Sequence, residues 1–195
     1  MMKKVSFLLA LLTGFIGFSQ SSEEDEDKIP HEIGLDGYFG AGSTGGSFGL
    51  GLKYSIVKEE SPQYAFGPSF RIQRTWSNNQ QTSQTFSYNI IGLGAFAHAR
   101  VYEVLFAGVE FEMMNSPLRY DLANQPKSWI PTLFVGGGYS QMISDSWRLN
   151  LGIFYDVIDH ANSPFRPSYT ARKTVNGQPG PLIPVLYRLA LFIQI

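Results

Sequence analysis

From residue 31 onward, apolar and polar side chains alternate with period two, the pattern of strands that bury or expose one apolar face. Residues 47–56 show it most clearly: Phe48, Leu50, Leu52, Tyr54 and Ile56 share one face, and Ser47, Gly49, Gly51, Lys53 and Ser55 the other. Near the C-terminus, Val185, Tyr187, Leu189, Leu191, Ile193 and Ile195 alternate with Leu186, Arg188, Ala190, Phe192 and Gln194. Before that, Trp147, Leu149, Leu151, Ile153, Tyr155 and Val157 oppose Arg148, Asn150, Gly152, Phe154 and Asp156. Five further strands are predicted over residues 32–41, 64–76, 86–101, 105–114 and 129–142. Gly136-Gly137-Gly138 leaves the phase of the last of these open. No segment carries a helical period. The expectation is an all-β, eight-stranded antiparallel up-and-down barrel over residues 31–195, an even strand count that suits a bacterial single-chain transmembrane barrel.

The connections alternate in length. Residues 58–63, 102–104 and 143–146 are short links, whereas 77–85, 115–128 and 158–181 are longer and 42–46 alone is a brief loop. Transmembrane barrels have short periplasmic turns and longer external loops, so both termini are expected on the periplasmic side.

Alternation alone would also fit a lipocalin or a soluble sandwich, in which the apolar face is interior. The position of the charges decides between them. The apolar faces carry one charged residue, Arg74 near a strand end. The opposite faces carry Asp36, Lys53, Arg71, Arg100, Glu110, Glu112, Arg148, Asp156 and Arg188, together with His98 and Gly34, Gly49, Gly51, Gly67, Gly92, Gly94, Gly108 and Gly152. Eight strands leave an interior just wide enough for side chains, and four acids facing five bases can neutralise one another there, as buried charges require. The small, charged face is therefore expected to line the lumen, with the glycines making room for long Arg and Glu side chains, and the bulky face to meet lipid. Tyr54, Tyr64, Phe66, Trp76, Tyr88, Trp129, Tyr139, Trp147 and Tyr187 fall near strand ends, where interfacial aromatic girdles belong.

Composition narrows the class. Charged residues are 16% of the chain, Gly is raised to 20 residues, and Phe, Tyr and Trp number 15, 10 and 3. No apolar run of ~20 residues follows the N-terminal segment, which excludes a helical membrane protein. There is no Cys, so disulfides, thiolate metal sites, Cys nucleophiles and a lipid-modified Cys are excluded. A formal charge of −1 argues against a nucleic-acid partner. Lys3, Lys4, the apolar stretch Val5 to Phe18, and the small residues Gly17 and Ser19 read as a secretory signal over 1–19, cleaved before Gln20. Its removal leaves 13 basic against 16 acidic residues, a net of −3. Residues 20–30, with Glu23-Glu24-Asp25-Glu26-Asp27, read as an acidic periplasmic tether.

With this pattern, residues 32–195 resemble the small outer-membrane barrels of the OmpA/OmpX-like superfamily. The resemblance implies residence in the outer membrane of a Gram-negative cell, contact with outer-membrane lipid and lipopolysaccharide, and insertion by the barrel-assembly machinery. It also implies that Tyr187, Leu189, Leu191, Ile193 and Ile195 form the assembly signal, with Ile195 where that signal commonly ends in an aromatic residue. No periplasmic domain is expected beyond the barrel.

Asp159-His160-Ala161-Asn162-Ser163 resembles the His-x-Ser-Asn stretch of the lipid A deacylase barrels. Ala161, however, stands where the nucleophile belongs, and acyl transfer needs that hydroxyl. His98, Glu110 and Glu112 make a weak metal set and read better as an interior ion-pair network. Arg166, Arg172 and Lys173 in the last loop suit lipopolysaccharide phosphates. Gly136-Gly137-Gly138 lacks the Lys and helix of a phosphate cradle. The sequence therefore predicts no cofactor and a non-enzymatic envelope barrel with a structural or interaction role, one form of which is an accessory subunit of a larger outer-membrane protein complex. The other readings it leaves are passage of a small or hydrophobic solute, and a lipid A-modifying enzyme.

Overall fold

The computed structural model describes residues 30–42, 45–58, 62–79, 84–102, 104–116, 128–169, 171–175 and 178–195. The signal at 1–19, the acidic tether apart from Pro30, and parts of the loops lie outside the described residues.

Eight strands form one closed antiparallel barrel: β1 (His31–Gly42), β2 (Gly45–Lys58), β3 (Gln63–Asn79), β4 (Gln84–Val101), β5 (Leu105–Ser116), β6 (Ser128–Ser144), β7 (Trp147–Asp156) and, after a folded loop, β10 (Val185–Gln194). Each pairs with its neighbours in sequence, and β1 closes the ring on β10 through Glu32↔Gln194 to Gly37↔Leu189. Closure leaves no free strand edge in the barrel. The connections 59–62, 102–104 and 145–146 lie at the end that also holds His31 and Ile195. Connections 43–44, 80–83, 117–127 and 157–184 lie at the opposite end, here called the loop end; because the strands run further than the alternation shows, 43–44 and 80–83 are as short as the turns. Strand β4, at 18 residues, is the longest, followed by β3 and β6 at 17 each.

The two faces differ as the alternation requires. Leu35, Leu50, Ile72, Leu93, Leu105, Leu151, Ile153 and Tyr187 all point outward and are exposed, Tyr187 by 60%. An apolar surface that encircles the molecule is out of proportion to any patch on a water-soluble monomer, and it makes this a transmembrane barrel. Among the described outward-facing strand residues the charged ones are Arg74 and Lys58, the latter being the last residue of β2. The phase of β6 is settled by Ile130, Thr132, Phe134 and Ser140, which are buried and point inward, while Trp129, Val135 and Tyr139 are exposed. Tyr54, Tyr64, Tyr139 and Trp147 ring the terminal end, and Trp129, Tyr155 and Tyr187 lie outward towards the loop end. Tyr88 departs from the girdle expected of it. It follows the inward phase of β4 and packs on the interior cluster.

Residues 158–181, expected as an open loop, are partly folded. A single 3-10 turn (Arg166–Ser168) is followed by a small hairpin of β8 (Arg172–Val175) and β9 (Gln178–Leu182). The turn lies against β1, β2 and β3 inside the barrel mouth.

Candidate functional site

The chemistry-bearing residues converge on the lumen. At mid-height, Asp36 on β1, Lys53 on β2, Arg71 on β3, Glu110 and Glu112 on β5 and Arg188 on β10 meet as three acids and three bases, all buried. Arg71 forms a fork on Glu112, from Nε to Oε2 at 2.8 Å and from Nη2 to Oε1 at 2.7 Å, and its Nη2 also donates to Asp36 Oδ2 at 2.8 Å. Lys53 Nζ donates to Glu110 Oε1 at 2.6 Å and lies 3.7 Å from Asp36. Arg188 donates to Glu110 and, at 3.3 Å, to Glu112. His98 Nε2 is 2.9 Å from Glu110 Oε1. With His98 neutral the cluster balances to zero charge. That is the condition under which desolvated ions persist, because the geometry must repay several kcal/mol of lost hydration per ion.

Each cation also faces an aromatic ring. Arg188 lies 4.2 Å from the centroid of Phe134, Lys53 5.0 Å from Phe96, and Arg71 5.7 Å from Tyr38. These rings were not foreseen as lumen lining, although the alternation places them there. They revise the role of the glycines. A Cβ on Gly34 would strike the ring of Phe192, one on Gly49 that of Tyr38, and one on Gly108 that of His98. Gly51 does make space for a charged group, because a Cβ there would overlap the Asp36 carboxylate. Of the eight lumen glycines, Gly34, Gly49, Gly108 and Gly152 admit rings, Gly51 serves the ion cluster, Gly92 admits the Met114 sulfur, and Gly67 and Gly94 lie against neighbouring backbone.

Three of the residues expected in one network stand apart from it. Arg100 pairs with Glu32 near the terminal end, through Nη1 at 2.8 Å and Nη2 at 2.6 Å, and not with Glu110 or Glu112. The β4 and β5 positions alone would favour the β5 acids as partners, but the carboxylate that Arg100 meets comes from β1, across the lumen. Glu32 itself was missed, although it shares the phase of Asp36. Arg148 donates to Ser140 Oγ at 3.1 Å on the adjacent strand. Asp156 sits at the loop end, accepting the N–H groups of Ile158 and Asp159 at 3.2 Å and the Tyr169 hydroxyl at 2.7 Å. Burial and the Asp156 carboxylate push the Tyr169 phenol well above its ordinary range, so it stays a donor.

That bond helps to seat a plug. Phe165 and Tyr169 join Tyr38, Ile90, Met114, Phe134 and Leu186 in one apolar cluster filling the loop end of the lumen. The Pro164 carbonyl accepts from Gln73 Nε2 at 2.6 Å, and Ser168 hydrogen-bonds Ser47. Gly40 is required here, because a Cβ on it would stand 2.6 Å from the Ser168 carbonyl oxygen. Beneath the plug, the cavity between Asp36, Lys53, His98, Glu110, Asn150 and Arg188 is about 10 Å³, room for one water at most.

The loop stretch 159–163 is a turn. The Ser163 N–H donates to the His160 carbonyl at 2.8 Å, His160 Nδ1 accepts the Asn162 N–H at 3.0 Å, and the buried Ser163 Oγ accepts the Phe165 N–H at 3.4 Å. Arg166 pairs with Asp159 at 2.6 Å, while Arg172 and Lys173 are exposed on the hairpin. On β10, Tyr187 and Leu189 are exposed, and Leu191, Ile193 and Ile195 share their outward phase.

No protein-family model matches the chain, and no curated protein matches it. Among solved structures it is similar to the outer membrane protein Ail of Yersinia pestis, described in a phospholipid bilayer nanodisc. The likeness covers 86% of this chain and 100% of that one, at 9% sequence identity and a TM-score of 0.42. At that distance the two faces of this barrel and its own lumen have to carry the functional reading.

Proposed function

We propose that this chain is a non-enzymatic barrel of the Gram-negative outer membrane whose role is structural or interactive. In this role it holds its loops at the cell surface and serves, in one form, as a subunit of a larger envelope complex. The observation that carries the reading is a packed lumen beneath an apolar exterior: a charge-balanced cluster, the aromatic rings above and below it, and a plug of Phe165 and Tyr169. A cavity of about 10 Å³ gives no route to a hydrated solute. Function then rests on surfaces: the lipid-facing belt, the loop-end hairpin with Arg172 and Lys173 suited to lipopolysaccharide phosphates, and β10, whose outward row suits the barrel-assembly machinery. The turn at residues 160–163 supports the non-enzymatic reading, since His160 Nδ1 accepts the Asn162 N–H and Ser163 Oγ accepts the Phe165 N–H, so that this nitrogen and this hydroxyl oxygen are not engaged with each other.

Two measurements test this. Reconstituted in planar bilayers, the barrel is expected to show no single-channel steps; discrete, voltage-independent conductance would replace the reading with transport. Lipid A mass spectrometry of cells expressing wild type, His160→Ala, Ser163→Ala or empty vector is expected to give identical acylation. Acyl loss with wild type that either substitution abolishes would make the protein an enzyme.

A further inference from the structure

The outward row of β3 runs Tyr64, Phe66, Pro68, Phe70, Ile72, Arg74, Trp76. On β4, the residues opposite its last three members are Ile91, Asn89 and Ser87. The apolar belt thus ends on both strands at one level, between the Ile72–Ile91 pair and the Arg74–Asn89 pair. From Tyr64 to Arg74 is ten residues, roughly 33 Å along a strand and about 25 Å across the bilayer once tilt is allowed for, the height of the lipid-facing band in such barrels. Arg74 therefore stands at the loop-end edge of the belt.

Nothing among the described residues neutralises it there. The Arg74 Nη2 donates to the neutral Ser87 Oγ at 3.2 Å, and no ion pair engages it among the described residues. Its own hairpin cannot supply an acid, since the sequence has no Asp or Glu between Glu60 and Glu103, nor between Asp36 and Glu59 on the other flank. Other cations of the strands, such as Lys53, Arg71, Arg100 and Arg188, are matched to carboxylates inside the barrel. Below Arg74 lie Ile72 and Phe70, beside it Phe48 on β2, and above it Trp76, whose ring approaches Phe39 at 6.3 Å between centroids. An exposed guanidinium with hydroxyl and amide neighbours, on the rim of an apolar wall, has the chemistry to hold a phosphate whose attached chains run down the wall.

We propose that Arg74, with Ser87 and Asn89, forms a binding site for the phosphate of an anionic lipid headgroup in the leaflet at the loop end. The lipid's acyl chains would lie against Ile72, Ile91 and Phe70. A free phosphate ion would make no use of that wall. The site rests on the transmembrane reading above.

The test uses the full barrel refolded into nanodiscs of phosphatidylcholine mixed equally with phosphatidylglycerol and, separately, with lipid A. Lipids retained by the protein are counted by native mass spectrometry after release from the disc. Wild type is expected to retain the anionic lipid over phosphatidylcholine. Arg74→Gln is expected to lose that preference roughly tenfold, the change that follows loss of a hydrogen bond to a charged group. Added salt should weaken retention by unsubstituted protein, while millimolar inorganic phosphate in place of lipid should leave no bound adduct. Equal retention by wild type and Arg74→Gln, or retention insensitive to salt, would overturn the site alone. Failure of wild type to enter the discs would overturn the transmembrane reading with it.

Discussion

Arg71 is where the energetics of single residues are sharpest. It is 2% exposed and holds Asp36 and Glu112 together. Arg71→Ala should leave both carboxylates short of a buried partner, at a cost of roughly 3–5 kcal/mol, whereas Arg172→Ala on the exposed hairpin should cost less than about 0.5 kcal/mol. Urea unfolding of the folded barrel in lipid or detergent measures both, and equal effects would contradict the cluster. Tyr169 gives a pH signature. Its phenol titrates higher in the folded protein than its ordinary value of 10.0, so the stability it contributes is fully present below about pH 10. Above that the unfolded chain releases the proton first and stability declines as pH rises. The decline should be shallower in Tyr169→Phe; identical profiles above pH 10 would refute the buried bond to Asp156.

The element that most changes the picture is the last loop. A stretch rich in Pro and polar residues reads as solvated, yet Phe165 is fully buried and the Arg166–Ser168 turn rests inside the barrel mouth. Phe165→Ala should therefore behave like a core truncation, costing about 3–5 kcal/mol, and Gly40→Val should unseat the turn because its side chain would meet Ser168. Loss of the heat-dependent gel shift at lower temperature in both variants is the expected outcome. A loop lying loosely on the mouth would leave both variants at the wild-type temperature.

At the scale of the whole molecule, a closed ring has no strand from which unravelling can begin without breaking pairs on both sides. Unheated protein in SDS should run apart from the boiled form and remain with membranes after carbonate extraction. A single band position before and after boiling, with carbonate release, would contradict the closed transmembrane barrel. Among the described residues the lumen is packed with the ion cluster, the rings and the Phe165–Tyr169 plug, and this ties fold to function. A packed lumen directs attention to the outer surface, where Arg74 and the hairpin lie.

The sequence by itself determined what depends on neighbours along the chain. Side chains of a strand alternate between faces with a fixed period, so Phe48 to Ile56, Trp147 to Val157 and Val185 to Ile195 disclosed their outward rows, and the lengths between runs disclosed which end carries the loops. The inward positions of Lys53, Arg71, Glu110, Glu112 and Arg188 followed from the same phase. Tertiary structure alone decided who meets whom. Arg188 lies 78 residues from Glu110, and Arg100 lies 68 from Glu32; the stagger of strands on closure, invisible to a local period, chooses among inward-facing candidates. The same cause hid the rings from the sequence. Phe192 finds room on the inward face because Gly34 stands opposite it, and that pairing exists only once β1 has closed on β10. The plug was least legible of all, because Phe165 belongs to no period and is buried only where eight strands have already built a mouth to receive it.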